Sequence, residues 1–139
     1  MSRRVFSVYY TVMTTETQKK RILLVDDDPL IVRMYERKLV KEGFEVLLAP
    51  NGEEGIKAIE KNRPDLVLLD VLMPKMNGWE VLKKLKSSTE TADIPVITLT
   101  SLGDRPDDIQ KFKELGVKEY FIKSQIELKD LIAAIRKYI

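Results

Sequence analysis

Five side chains in this 139-residue chain could carry chemistry, and each stands at the end of an apolar run. Asp26 and Asp27 follow Ile22-Leu23-Leu24-Val25, Asp70 follows Leu66-Val67-Leu68-Leu69, Thr100 follows Val96-Ile97-Thr98-Leu99, and Lys123 follows Tyr120-Phe121-Ile122. An ionised carboxylate directly after a run buried on both faces costs free energy unless something pairs with it. Three carboxylates make a hard-oxygen donor set, suited to Mg²⁺ or Mn²⁺ with open positions for water and phosphate oxygens. A Lys beside them offsets their charge and can clamp a transferred phosphoryl group, with the Thr hydroxyl as a second donor. The set reads as a carboxylate nucleophile, a divalent metal and two donors to phosphoryl oxygens.

Each residue alone also has a plainer explanation. A Thr at a strand end is often only a β-former, and a Lys there is often only solvated. Asp28 is best read as a helix N-cap, because Pro29 follows it at the first helical position. That reading does not extend to Asp26 and Asp27, still at the strand end. The chain has no Cys and no His, which excludes disulfides, thiol nucleophiles, imidazole bases and the usual zinc ligands.

The elements that must position these residues alternate regularly after residue 20. Strands are expected at Arg21–Asp26, Phe44–Ala49, Leu66–Asp70, Pro95–Thr100 and Glu119–Lys123. Helical patterns fall at Pro29–Lys41, Gly52–Lys61, Asn77–Ser87, Asp107–Leu115 and Gln125–Tyr138. In the last of these, Leu128, Leu131, Ile132, Ile135 and Tyr138 recur at helical spacing. Gly43 and Gly116 sit just past helix ends, as C-terminal caps do. Strand-then-helix repeated five times predicts an α/β fold, a doubly wound parallel sheet of order 2-1-3-4-5 with helices on both faces. In that order the first and third strands are neighbours, so Asp26, Asp27 and Asp70 converge in one crevice at the topological switch point.

One compact domain is expected over residues 20–139, preceded by an unstructured extension over 1–19. The 24 basic and 22 acidic residues give a net charge of +2, and the surplus lies in the extension with Arg3, Arg4 and Lys19 against Glu16. The neutral body is no electrostatic footprint for nucleic acid. No run approaches a membrane span, and the residues near the N-terminus are too short and polar for a signal-peptide core. Met13 is a candidate for the true start.

The blocks Leu23-Leu24-Val25-Asp26-Asp27-Asp28, Leu68-Leu69-Asp70-Val71-Leu72-Met73-Pro74-Lys75-Met76-Asn77-Gly78, Thr100-Ser101 and Tyr120-Phe121-Ile122-Lys123 resemble the receiver domain of two-component response regulators. The resemblance covers essentially all of residues 20–139 and is closest to single-domain, chemotaxis-regulator-like members with a flavodoxin-like fold. It implies that Asp70 is the phosphoacceptor and that Asp26, Asp27, Asp70 and the backbone carbonyl of Leu72 bind Mg²⁺. It implies that Thr100 and Lys123 contact the phosphoryl group, and that Tyr120 is an aromatic switch turning inward when Thr100 is drawn toward phosphate. It further implies a histidine kinase or histidine phosphotransfer protein as donor and a cytoplasmic location. Output would pass to a downstream protein through the fourth helix, fifth strand and fifth helix, with homodimerisation on phosphorylation left open. The chain is then a signalling receiver that assists its own phosphorylation rather than an enzyme, either free-standing or excised from a longer protein.

Two departures from the family pattern carry expectations of their own. The family usually has Pro after the strand-five Lys; here Ser124-Gln125-Ile126-Glu127 reads as a capping box with Ser124 at N-cap. A trans Lys123–Ser124 bond is expected, because a non-proline cis bond costs roughly 2.5–4 kcal/mol. Leu72 and Leu102 are apolar where a hydrolytic water would need an orienting partner, which predicts a slowly lost aspartyl phosphate. Two alternatives stand beside this reading: a phosphohydrolase resembling the haloacid dehalogenases, which wants an acid where Leu72 stands, and a receiver-like scaffold that never takes phosphate.

Overall fold

The protein was analysed as a computed structural model, which describes residues 18–71, 76–101 and 106–139. The strands are β1 (Arg21–Val25), β2 (Glu45–Ala49), β3 (Leu66–Asp70), β4 (Val96–Thr100) and β5 (Glu119–Ile122). The helices are α1 (Pro29–Lys41), α2 (Gly52–Asn62), α3 (Gly78–Ser87), α4 (Pro106–Glu114) and α5 (Leu128–Tyr138). The five strands form one parallel sheet in the order β2-β1-β3-β4-β5, as the alternating pattern predicts.

The apolar runs end up central for the expected reason. Every residue of β3 and β4 is buried, since helices cover both faces. Alternation along the strands then divides the core in two. Leu23, Val25, Val67 and Leu69 pack with Ile56, Ile59, Val81, Leu82, Leu85 and Phe112 from α2, α3 and α4. Ile22, Leu24, Leu66 and Leu68 pack with Tyr35, Leu39, Leu131, Ile132 and Ile135 from α1 and α5.

The helix ends follow local chemistry. Asp28 caps α1, its Oδ1 accepting from the N–H groups of Leu30 at 3.0 Å and Ile31 at 3.5 Å. Gly43 and Gly116 take positive φ just past α1 and α4, where an L side chain would be strained. Most element ends lie within one residue of expectation. The exception is the start of α5. Gln125 and Ile126 both donate their N–H groups to the Ile122 carbonyl, which makes a turn directly after β5. The helix begins only at Leu128, with Glu127 at N-cap and no side-chain cap bond. The expected capping box at Ser124 therefore does not form. The Lys123–Ser124 bond is trans, as are all peptide bonds among the described residues. Most of the expected N-terminal extension, including Met13, lies outside the described residues, as do Leu72 and Leu102.

Candidate functional site

The site is built at the carboxyl ends of β1, β3, β4 and β5. Asp26 follows β1 and is anchored by its own N–H, which donates to the Ala49 carbonyl at 3.1 Å. Its Oδ1 accepts from the Asp28 N–H at 3.0 Å, which fixes the turn into α1. Asp70 ends β3, whose pairing with β1 and β4 sets it beside both strand ends. Asp26 and Asp70 are buried, at 2% and 3% exposure, whereas Asp27 faces solvent. One carboxylate oxygen from each of Asp26, Asp27 and Asp70 lies within 4.8 Å of the others. The structure thus brings together the three acids that the sequence places at adjacent strand ends.

Lys123 meets them from β5. Its N–H donates to the Thr100 carbonyl at 2.7 Å, which extends the β4–β5 ladder past its last strand residue. Its Nζ lies 2.6 Å from Asp26 Oδ2 and 3.3 Å from Asp70 Oδ2. Burial pulls the Lys123 ammonium toward neutrality, but the two carboxylates outweigh it and hold its pKa above the ordinary lysine value. Asp26 Oδ2 is fully buried, and the Lys123 ammonium at 2.6 Å is the charge that faces it. Thr100 is fully buried at the end of β4, paired in register with Ile122.

The donor set fits a hard divalent cation. The ligand atoms on offer are all carboxylate oxygens within 4.8 Å of one another, and two of the three acids are buried. Asp26, Asp27 and Asp70 are the described residues that would hold it. The Leu72 carbonyl expected to join them lies outside the described residues.

Two features of the surroundings were not legible from spacing. The phenol of buried Tyr35, on α1, is raised above its ordinary pKa chiefly by burial; Lys123 lowers it, and Asp26 and Asp70 raise it, so it lies in the field of this site. Gly78 is pressed against the end of β3. A Cβ there would fall 2.5 Å from the Asp70 carbonyl oxygen and 2.8 Å from the Val71 Cα. That close approach could have been suspected from the Asn-Gly pair, with Asn77 capping α3 through the Glu80 N–H at 3.0 Å.

A doubly wound sheet with an acidic crevice and a buried lysine at its switch point defines a CheY-like α/β module. The chain belongs to the response regulator receiver domain family, whose model matches residues 22–136. It is 42% identical over 121 residues to the protein named "Probable transcriptional regulator ycf27" of Pyropia yezoensis, covering 87% of this chain and 48% of that protein. It is 37% identical over 116 residues to the "DNA-binding dual master transcriptional regulator RpaA" of Synechocystis, covering 84% and 47%. The chain therefore spans about half the length of these curated relatives. Among solved structures, the chemotaxis protein CheY4 of Vibrio cholerae superposes with a TM-score of 0.81 at 27% identity, covering 88% of this chain and all of that one. The CheY-like receiver domain protein of Methanospirillum hungatei JF-1 gives 0.77 at 30% identity, covering 86% and 93%.

Proposed function

We propose that Asp70 accepts a phosphoryl group from a phosphohistidine on a separate kinase or phosphotransfer protein, with Mg²⁺ held by Asp26, Asp27 and Asp70. The observation that carries the reading is the convergence of these three carboxylates, two of them buried and paired with the Lys123 ammonium. In the transfer, an Asp70 carboxylate oxygen forms a bond to phosphorus as the phosphorus–nitrogen bond breaks. The imidazole nitrogen keeps the bonding electron pair. Lys123, held between two acids, is placed to turn its charge onto a phosphoryl oxygen, and the Thr100 hydroxyl supplies a neutral donor. A bound divalent ion supplies charge neutralisation, which lets the phosphoryl oxygens enter an otherwise anionic site.

Thr100 drawn toward the phosphoryl group and Tyr120 turning inward would change the α4–β5–α5 surface, which we take as the contact for a downstream protein. The curated relatives are named as transcriptional regulators, so the output of a longer chain could be at DNA; the neutral body of this one favours protein contact. Among the described residues no helix is long and apolar enough to cross a membrane, which accords with a cytoplasmic site of action.

The test is incubation with Mg²⁺ and acetyl phosphate, followed by intact-mass measurement. One phosphoryl group, retained for minutes and lost in Asp70→Ala, is the expected result. Multiple turnover of donor without a stable adduct would favour the hydrolase reading, and no adduct at all the scaffold.

A further inference from the structure

Three aromatic rings from three different elements form a continuous chain beside the acceptor strand. Phe112 of α4, 4% exposed, lies edge-on to Trp79 of α3 at 5.3 Å and 81°, and tilted against Tyr120 of β5 at 5.6 Å and 41°. Edge and tilted contacts of this kind depend on orientation, so a change at one ring is felt by the next.

The chain's two ends sit at places that matter to the site. Trp79 follows Gly78, whose N–H donates to the Val71 carbonyl at 3.1 Å and whose Cα is pressed against Asp70. Tyr120 lines a cleft of about 350 Å³ together with Val71, Trp79 and Phe112. It also lines a second groove, of about 520 Å³, with Ile109, Phe121, Ile122 and Ile126. Tyr120 is thus shared by the space beside Val71 and the groove along α4, β5 and α5. Inward movement of the ring enters the space that Phe112 and Trp79 already wall.

We propose that Phe112 is a positioning residue of the switch: its ring ties the placement of Tyr120 to Trp79 and the first turn of α3. The proposal rests on the receiver reading for what moves Tyr120, but the coupling itself exists in the unphosphorylated protein. Phe112→Leu keeps apolar bulk and removes the ring, while Phe112→Tyr keeps the ring.

The experiment has two arms. In the first, a double-mutant cycle of Trp79→Leu and Tyr120→Leu is measured by urea unfolding followed by circular dichroism. A coupling of at least about twofold in the unfolding constant is expected with Phe112 present, and none in the Phe112→Leu background. No coupling in the parent, or equal coupling in both backgrounds, overturns the proposal. In the second, Trp79 is the sole tryptophan, so its emission is followed as Asp70 is phosphorylated by acetyl phosphate with Mg²⁺, with occupancy read by intact mass. At equal occupancy, Phe112→Leu should lose half or more of the emission change and Phe112→Tyr should restore it. A full response in Phe112→Leu overturns the proposal. Absence of phosphate on the parent protein would instead count against the receiver reading, and the cycle, which needs no phosphate, then decides alone.

Discussion

Lys123 is held more closely by Asp26 than by Asp70: its Nζ lies 2.6 Å from Asp26 Oδ2 and 3.3 Å from Asp70 Oδ2. Its side chain is 9% exposed and that of Asp26 wholly buried, so neither charge is solvated well enough to stand alone. The lysine thus supplies the positive charge that the buried Asp26 carboxylate faces.

Replacing Lys123 by Met should therefore destabilise the metal-free protein. Removing one member of a buried pair leaves the other uncompensated, at a cost of roughly 3 kcal/mol. Urea unfolding with and without Mg²⁺ checks this. The loss should be smaller in saturating Mg²⁺, because a ligand that binds only the folded state stabilises it by mass action. An equal loss in both conditions would mean that the two cations do not share a site.

Gly78→Ala should be costly despite its small size. The added carbon would press on the Asp70 carbonyl and the Val71 backbone, neither of which can turn aside as a flexible side chain would. Overpacking of this kind costs about 1–3 kcal/mol, which thermal unfolding would resolve. Part of the relaxation should move Asp70, so acetyl phosphate labelling should also slow.

Leu72 lies two residues after Asp70 and Leu102 two residues after Thr100, and neither side chain could orient a water. Leu72→Asn and Leu102→Glu should each speed loss of the aspartyl phosphate, by about tenfold where the new side chain aligns the attacking water. Phosphate retention followed by intact mass after donor removal gives the answer. Unchanged or slower loss would sink this explanation of a slow reset.

Far from the site, Glu42 joins the end of α1 to α5. Its carboxylate lies 3.1 Å from Lys38 Nζ and 2.9 Å from Arg136 Nη2, and Arg136 also sits over the Phe44 ring at 5.3 Å. The Lys38 hydrogen bond, followed by that of Arg136, holds the Glu42 carboxyl below the ordinary value of 4.5. A carboxyl depressed in the folded state stabilises it above its ordinary pKa, and the contribution fades as pH falls through the lower folded value. Glu42→Gln should therefore flatten the acid limb of the stability curve below about pH 4.5 and leave the two proteins similar at the acid extreme. The comparison is made by urea midpoints from about pH 6 to about pH 2.5.

The sequence by itself determined the order of elements, the parallel sheet and the side chains gathered at its carboxyl edge. Those follow from local signals: uninterrupted apolar runs for β1 and β3, a largely apolar β-forming run for β4, helical spacing for α5, and Asp28-Pro29 as a helix start. The family blocks around Asp26, Asp70, Thr100 and Lys123 are contiguous, so they too are legible without coordinates. Only the tertiary structure decided that Lys123 lies nearer Asp26 than Asp70, because that choice depends on how β5 sits against β1 across two intervening strands. Only it decided that Ser124 does not cap α5: the backbone after β5 folds back onto the Ile122 carbonyl before the helix can begin, and long-range placement of the strand overrides a local capping preference. The chain of Trp79, Phe112 and Tyr120 was equally invisible, since rings on three separate elements meet only when those elements pack together.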